Sequence, residues 1–251
     1  MLKMLRSIIN SQVWLSRKLD CLFPEKFTID GNLDFLTRIA PSFLRKDIVV
    51  YDIGGGKNPY ISVLKKEELS IQVVGLDISG DELLRAPAGA YDKTVCADIT
   101  SYIGSGDADV VLCQALLEHV PDVSKAIQSI SSIVKKGGDV VIFVPSRNAV
   151  FARLNLILPQ RIKEALLYYI FPSAKHNQGF PSFYDKCTLK QFRKMAEQHN
   201  FDVVEERCYF VSSYFSFFFP LYLFWRVWIF IFYFFSGDNA AETFSVVLRK
   251  K

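Results

Sequence analysis

The run DIVVYDI at residues 47–53 ends against three consecutive glycines, Gly54, Gly55 and Gly56. A stretch that is apolar along its whole length reads as a strand buried on both faces, and the glycines force a tight turn after it. Four similar runs follow: 71–76 ends at Asp77, 94–97 at Asp98, 109–113 at Gln114, and 139–144 at Pro145. The intervening segments read as helices. One begins at Asn58-Pro59, with proline in the first turn. A short one covers 79–85, and a longer one covers 115–134 and is stopped by Lys135–Gly138. Buried strands alternating with crossover-length helices imply a parallel sheet covered on both faces, hence an α/β fold. Before this series, 34–44 has helical periodicity broken by Pro41. After it, Thr188 caps a helix reaching His199, and 201–208 and 242–248 read as two further strands.

At 251 residues the chain fits one α/β domain with insertions, large enough to bury a core without disulfides or a structural metal. Five cysteines, an odd number with no CxxC spacing, point to reduced thiols in a cytosolic compartment. The net charge of +4 comes without the basic, aromatic-interleaved cluster of a nucleic-acid surface, so no nucleic-acid partner is expected. Residues 1–20 lack the apolar core and cleavage site of a signal peptide. They form a basic amphipathic helix, with Met1, Met4, Leu5, Ile8, Ile9, Leu15 and Leu19 on one face and Lys3, Arg6, Asn10, Arg17 and Lys18 on the other. Such a helix suits either a membrane surface or the flank of its own domain, and Trp14 falls on the polar side.

The glycine turn is suited to a ligand that lies against the end of a strand, because backbone without Cβ atoms lets it approach. Asp52 sits two residues before it. Asp77 closes the next strand, where a carboxylate can accept from both hydroxyls of a ribose, and Asp98 closes the third, where an adenine edge would lie. The order DIGGG, LDIS, ADI, DVVLCQALLEHVPD and KKGGDVVIFVPS resembles the class I S-adenosylmethionine-dependent methyltransferases. The similarity is greatest to the branch that includes ubiquinone-biosynthesis enzymes and the type 11 methyltransferase domain, and it runs over residues 45–250. It implies a Rossmann-like seven-stranded sheet of order 3-2-1-4-5-7-6, the last strand antiparallel. It also implies S-adenosylmethionine as cofactor. By this resemblance Asp52 orients the methionine amino group through the loop or water, Gly54, Gly55 and Gly56 admit the cofactor, and Asp77 and Ile78 hold the ribose end. Asp98 and the Ile99 amide read the adenine, and Gln114 lies beside the methionine portion. Lys57 and Asn58-Pro59 depart from the usual small residue after the glycines. A nicotinamide-dependent oxidoreductase would want GxGxxG, which Pro59 interrupts. A catalytically inactive scaffold of the same fold is the other alternative.

Methyl transfer is an in-line displacement, so alignment matters most and a general base is useful for a hydroxyl acceptor. His119, after the fourth strand, is one candidate base. His176 and Tyr184 are others, in a polar and aromatic stretch (HNQGFPSFYDK) expected to act as a substrate lid within the insertion 146–186. Related quinone methyltransferases carry Glu-x-x-Glu-His as a metal site. Here Ala115 replaces the first glutamate, leaving Glu118 and His119, so no metal is expected.

Residues 209–235 read YFVSSYFSFFFPLYLFWRVWIFIFYFF. Sixteen of these 27 are aromatic, out of 22 Phe, 11 Tyr and 3 Trp in the chain, and the only charge is Arg226. That density marks a bilayer interface. The strands on either side belong to one sheet, so the chain must leave and return on the same side, and Pro220 offers a break. The expectation is two short helices or a re-entrant hairpin in one leaflet, with Arg226 reaching up to the headgroups. The sequence thus divides into a lead-in, 1–33, and a methyltransferase-like domain, 34–251, with insertions at 146–186 and 209–238. The expected protein is an enzyme on the inner face of a membrane, methylating a lipid, isoprenoid quinone or lipid-linked saccharide.

Overall fold

In a computed structural model of the chain, residues 2–158, 180–211 and 215–251 are described, the first five of them by backbone alone. Seven strands form one sheet: β1 Val49–Ile53, β2 Gln72–Asp77, β3 Lys93–Cys96, β4 Ala108–Gln114, β5 Val134–Pro145, β6 Phe201–Tyr209 and β7 Thr243–Lys250. Their order is β3-β2-β1-β4-β5-β7-β6, as expected. The first five strands run parallel, while β7 runs antiparallel to both β5 and β6. The register carries the functional geometry. Ile53 lies beside Leu76 and Cys113, Gln114 beside Phe143, and Pro145 beside Thr243, which in turn faces Tyr209. The tips of β1, β2, β4 and β5, the end of β6 and the start of β7 therefore share one rim of the sheet.

The described helices are α1 Leu2–Asp20, α2 Gly31–Asp34, α3 Val63–Leu69, α4 Gly80–Leu84, α5 Val123–Ile133, α6 Val150–Ile157, α7 Leu189–Gln198 and α8 Phe219–Ser236. Two hydrophobic layers sandwich the sheet. α5 sends Val123, Ala126, Ile127, Ile130 and Ile133 into one of them, and α7 adds Phe192, Met195 and Ala196. These are one-face spacings of a 3.6-residue helix. Both helices start at side-chain caps, Asp122 accepting from Lys125 N and Thr188 from Gln191 N. The other layer includes Phe35, Ile39, Val50, Val73 and Val141.

Several local expectations are corrected. The segment 115–134 is not one helix. Ala115 takes a left-handed φ of 49°, Leu117–His119 makes a 3-10 turn, and the chain passes Pro121 before α5 begins. Lys135–Gly138 lies inside β5, where Gly137 (φ 76°) and a register shift between Ala108 and Val110 of β4 mark a bulge. The first helix after the glycines starts at Val63, capped by Ser62, and Asn58 instead closes a turn onto Gly55 O. Over 34–44 the backbone winds through π and 3-10 turns, with Pro41 in the opening turn of the latter.

The aromatic segment differs most from expectation. α8 is one continuous helix with Pro220 in its first turn, where a missing N–H costs nothing. It is long and apolar enough to cross a membrane. Yet Tyr222, Trp225, Arg226 and Ile229, at i, i+3, i+4 and i+7, form a buried stripe against the domain. Arg226 is 0% exposed and does not reach toward headgroups. Its guanidinium donates to Phe210 O (2.9 Å) and Phe27 O (2.7 Å) and pairs with Asp20 (3.2 Å). Asp20 also accepts from Tyr222 Oη (2.6 Å), Gln12 Oε1 accepts from Phe219 N, and Ser16 Oγ donates to Ser216 O. α1 thus docks on α8 through its polar residues. Ile8, Ile9, Trp14 and Leu15 remain exposed, with the Lys18 ammonium over the Trp14 ring.

Candidate active site

The glycine loop leaves β1 at the shared rim. Gly54 and Gly56 have φ of 78° and 49°, conformations that side chains resist. At Gly55 space is the limit: a Cβ would fall 2.5 Å from Asp52 Oδ2 and 2.7 Å from Tyr91 Oη. Asp52 is only 4% exposed and fastens the loop from beneath. Its Oδ2 accepts from Tyr60 N (2.8 Å) and Tyr91 Oη (3.4 Å), and Tyr91 also donates to Gly56 O (3.1 Å). Burial pushes the Asp52 carboxyl up to about 6, against the pull of those two donors. Its observed partners make it the anchor of the loop.

Asp77, at the tip of β2, is half-buried and accepts from Ser79 N through Oδ1 (2.9 Å). A Cβ on Gly56 would come within 3.2 Å of Asp77 Oδ2, so loop and carboxylate line one crevice that a side chain would fill. Burial, with Glu82 nearby, raises the Asp77 carboxyl. Ile78 beside it is 59% exposed, an apolar plate at the edge of the crevice. Asp98 is also at the rim, since Asp77 pairs with Cys96 across β2 and β3. Its Oδ1 accepts from Thr100 N and Thr100 Oγ1, both at 2.8 Å, so it shapes its own turn. Ile99 buries its side chain in the core, which leaves its backbone for the adenine role. Gln114, at the tip of β4, donates through Nε2 to Asn32 Oδ1 (2.7 Å). That bond brings the start of α2 over the rim, where Gly31 packs against Tyr209 and Thr243 with no room for a Cβ.

His119 is one turn beyond Gln114. Its Nδ1 lies 3.0 Å from Pro181 O and 3.3 Å from Ser182 Oγ. A carbonyl can only accept, so Nδ1 carries the proton and Nε2 of the neutral ring is a bare acceptor. Glu118 Oε1 is 3.8 Å from that Nε2. The Glu118 side chain is buried and its Oε2 has no hydrogen-bond partner among the described residues, and desolvation pushes the carboxyl up to about 7. The Glu118 carbonyl accepts from Phe183 N and Tyr184 N, which ties the end of the insertion to this turn. Tyr184 is buried in the core at a left-handed φ of 50°, and Asp185 accepts from Val123 N at the start of α5. Both hold the described end of the insertion in place. His176 lies outside the described residues. Among the described residues no three His, Cys, Asp or Glu side chains converge as a metal site.

The crevice therefore combines a side-chain-free loop, a half-buried carboxylate with acceptor capacity and an exposed apolar residue, which fits an adenosyl ligand. A model of the methyltransferase domain matches residues 25–206. The chain belongs to this methyltransferase family. S-adenosylmethionine is the cofactor that goes with the family and with the crevice. The chain is 30% identical over 123 residues to a ubiquinone biosynthesis O-methyltransferase of Shewanella halifaxensis, covering 46% of this chain and 50% of that protein. A ubiquinone biosynthesis O-methyltransferase of Cupriavidus pinatubonensis is 26% identical over 170 residues, 64% of this chain and 62% of that protein. The chain thus spans between half and 62% of the length of these curated relatives. The fold is similar to that of phosphoethanolamine N-methyltransferase 2 of Haemonchus contortus, solved with S-adenosyl-L-methionine. The TM-score is 0.54 at 17% identity, over 92% of this chain and 55% of that one.

Asp52, the glycines, Asp77, Asp98 and Gln114 stand together at one rim, as the motif order implies. Tyr91 and Asn32, which tie down the loop and Gln114, had no signal in the sequence. Each acts from a distant segment, 39 residues from Asp52 and 82 from Gln114.

Proposed function

We propose that this protein methylates an acceptor that is anchored in a membrane and presented to the sheet rim from the lipid side. The observation that carries the reading is shared placement: the crevice and α8 stand on the same rim, and α8 turns an apolar face outward. Phe224, Phe234 and Phe235 are 70%, 82% and 79% exposed, with Val227, Trp228 and Ile231 between them. An exposed apolar face of this kind marks an interaction surface, and its Trp and Phe content suits a bilayer interface. The exposed Ile8, Ile9 and Trp14 of α1, beside Arg17 and Lys18, supply a second apolar and basic contact. The names of the curated relatives favour a hydroxyl of a quinone precursor as the acceptor group. In this reading the enzyme is held on the cytoplasmic face of the membrane.

The bound cofactor supplies an activated methyl on a sulfonium. The chain does the rest. The glycine loop, Asp77 and Ile78 hold the nucleoside part, the Ile99 amide and the turn shaped by Asp98 border the adenine, and Gln114 stands by the amino-acid part. His119, with Nε2 bare, accepts the proton of the acceptor hydroxyl.

The test is transfer of labelled methyl from S-adenosylmethionine into a bacterial total lipid extract, with the protein bound to anionic vesicles. Label in the organic phase, together with loss of vesicle sedimentation in Phe224→Ser/Phe234→Ser/Phe235→Ser, is the expected result. A folded wild-type protein that binds cofactor yet neither sediments nor labels lipid refutes the reading.

A further inference from the structure

Between α6 and α8 lies a cavity of about 490 Å³. Its wall is almost wholly apolar, built from Leu154 and Ile157 on α6 and from Leu221, Phe224, Trp225 and Trp228 on α8. Two polar residues also line it. Asn148 is three residues past the tip of β5, and Arg153, one turn on, donates to Asn148 Oδ1 (3.3 Å). Asn148 also donates to Asn239 O (3.1 Å), in the turn that leads from α8 back to β7. The polar end of the cavity thus belongs to the rim that carries the crevice.

We propose that this cavity is the tail subsite of the acceptor and takes one hydrocarbon chain, prenyl or saturated, of an amphiphile whose head lies at the rim. The proposal rests on the reading above that the acceptor is lipid-linked. Three observations select this occupant. A volume of this size is within the range of small-molecule sites, about 300–1,000 Å³, and the wall offers a chain nothing to hydrogen-bond along its length. Leu154, Ile157, Phe224 and Trp228 line the cavity and are also exposed on the outer face. The mouth therefore opens within the apolar surface, and a tail can pass from lipid into the wall without crossing water. Among the described residues the only charged lining group, Arg153, is held near the rim, where an amphiphile carries its polar head. A second copy of the chain, or a protein helix, would use the outer face and leave the interior of the cavity unfilled. The α6 side of this wall lies within the matched family domain, which ends at residue 206, and the α8 side lies beyond it.

The experiment uses the full chain and cis-parinaric acid, a polyene fatty acid that fluoresces when it enters an apolar site. Saturable uptake at one probe per chain is expected, with displacement by geranylgeraniol. In a competing series of n-alkanols, affinity rises about fourfold per methylene and then levels off when the cavity is full. Leu154→Trp and Leu221→Trp, both at partly exposed positions and each adding bulk to the cavity, weaken probe binding at least tenfold. Cofactor affinity and vesicle sedimentation stay unchanged in both. Non-saturable uptake, no plateau in the series, or equal binding by both filled variants overturns the proposal. Sedimentation of a wild-type protein that takes no probe refutes the tail subsite alone. Probe uptake that is lost in the filled variants, in a protein that does not sediment, supports the subsite and refutes membrane contact.

Discussion

Asp52→Asn should make the free protein more stable at neutral pH while weakening its hold on the cofactor. Asp52 is buried, and desolvation carries its carboxyl from the usual 3.8 to about 6. An acid raised in this way stabilises the folded chain below pH 3.8, and that contribution is lost as the pH rises through 6. The full span is worth about 3 kcal/mol. Asparagine has nearly the same shape and can still accept from Tyr60 N, but it has no charge to desolvate. In urea titrations the variant should match wild type near pH 4 and exceed it by about 2–3 kcal/mol at pH 7.5. Glu118 and Glu242, both raised to about 7 by burial, titrate in both proteins and cancel in the difference. Cofactor binding should move the other way, because the ionised carboxylate favours a cationic ligand. Calorimetry should find S-adenosylmethionine bound about tenfold more weakly by the variant at pH 7.5, with the gap closing by pH 5, where wild-type Asp52 is itself neutral. Parallel stability curves for the two proteins would refute the claim that Asp52 is a costly buried charge.

Asp77→Asn keeps the shape of the carboxylate and removes its charge. A hydrogen bond to a charged group is worth about 1.5–3 kcal/mol, so cofactor affinity should fall at least about tenfold by calorimetry; unchanged affinity contradicts the ribose role. His119→Asn can still donate toward Pro181 O but offers no base, so methyl transfer to a hydroxyl acceptor should slow about 10²–10⁴-fold with cofactor affinity unchanged. Equal rates would exclude His119 as the base. Arg226→Met should cost about 3–5 kcal/mol in urea unfolding, since Asp20 and the carbonyls of Phe27 and Phe210 lose their donor. A loss under about 1 kcal/mol would show that this node does not hold α8 in place.

The strands of the shared sheet were legible because burial on both faces leaves a plain signal: β1, β2, β4 and the core of β5 are apolar at almost every position. The strand order and the set of rim residues were legible only through the order of motifs. What escaped depended on partners far away in sequence. Periodicity shows which face of a helix is apolar, but not that Ala115 turns left-handed and Pro121 delays α5. Arg226 read as a lone charge in an apolar run, and the natural inference sent it to the headgroups. Its partners are Asp20 on α1 and the Phe27 carbonyl, 199 residues away. Pro220 read as a break because the start of α8 had no polar cap to announce it. Asp52 belonged to the site, but its function in the fold, to anchor the loop to Tyr60 and Tyr91, follows from packing that no motif records.

The Arg226 node also bears on the part proposed for the aromatic helix. An aromatic helix of 18 residues, roughly 27 Å long, could leave the domain for the bilayer if nothing retained it. Here one stripe of α8 is fixed to the domain by a buried guanidinium with three partners from two other segments, Asp20 and Phe27 before the sheet and Phe210 after β6. Replacing such a group leaves buried acceptors unsatisfied, so sliding or rotation of the helix is opposed more strongly than by apolar contact alone. The outward face of α8 and the cavity wall therefore keep a fixed orientation to the glycine loop and Asp77. A tail seated against α8 would then place its head relative to the crevice, which is the alignment that an in-line methyl transfer demands. In this arrangement a charge inside the most hydrophobic segment of the chain is what fixes that segment to the domain.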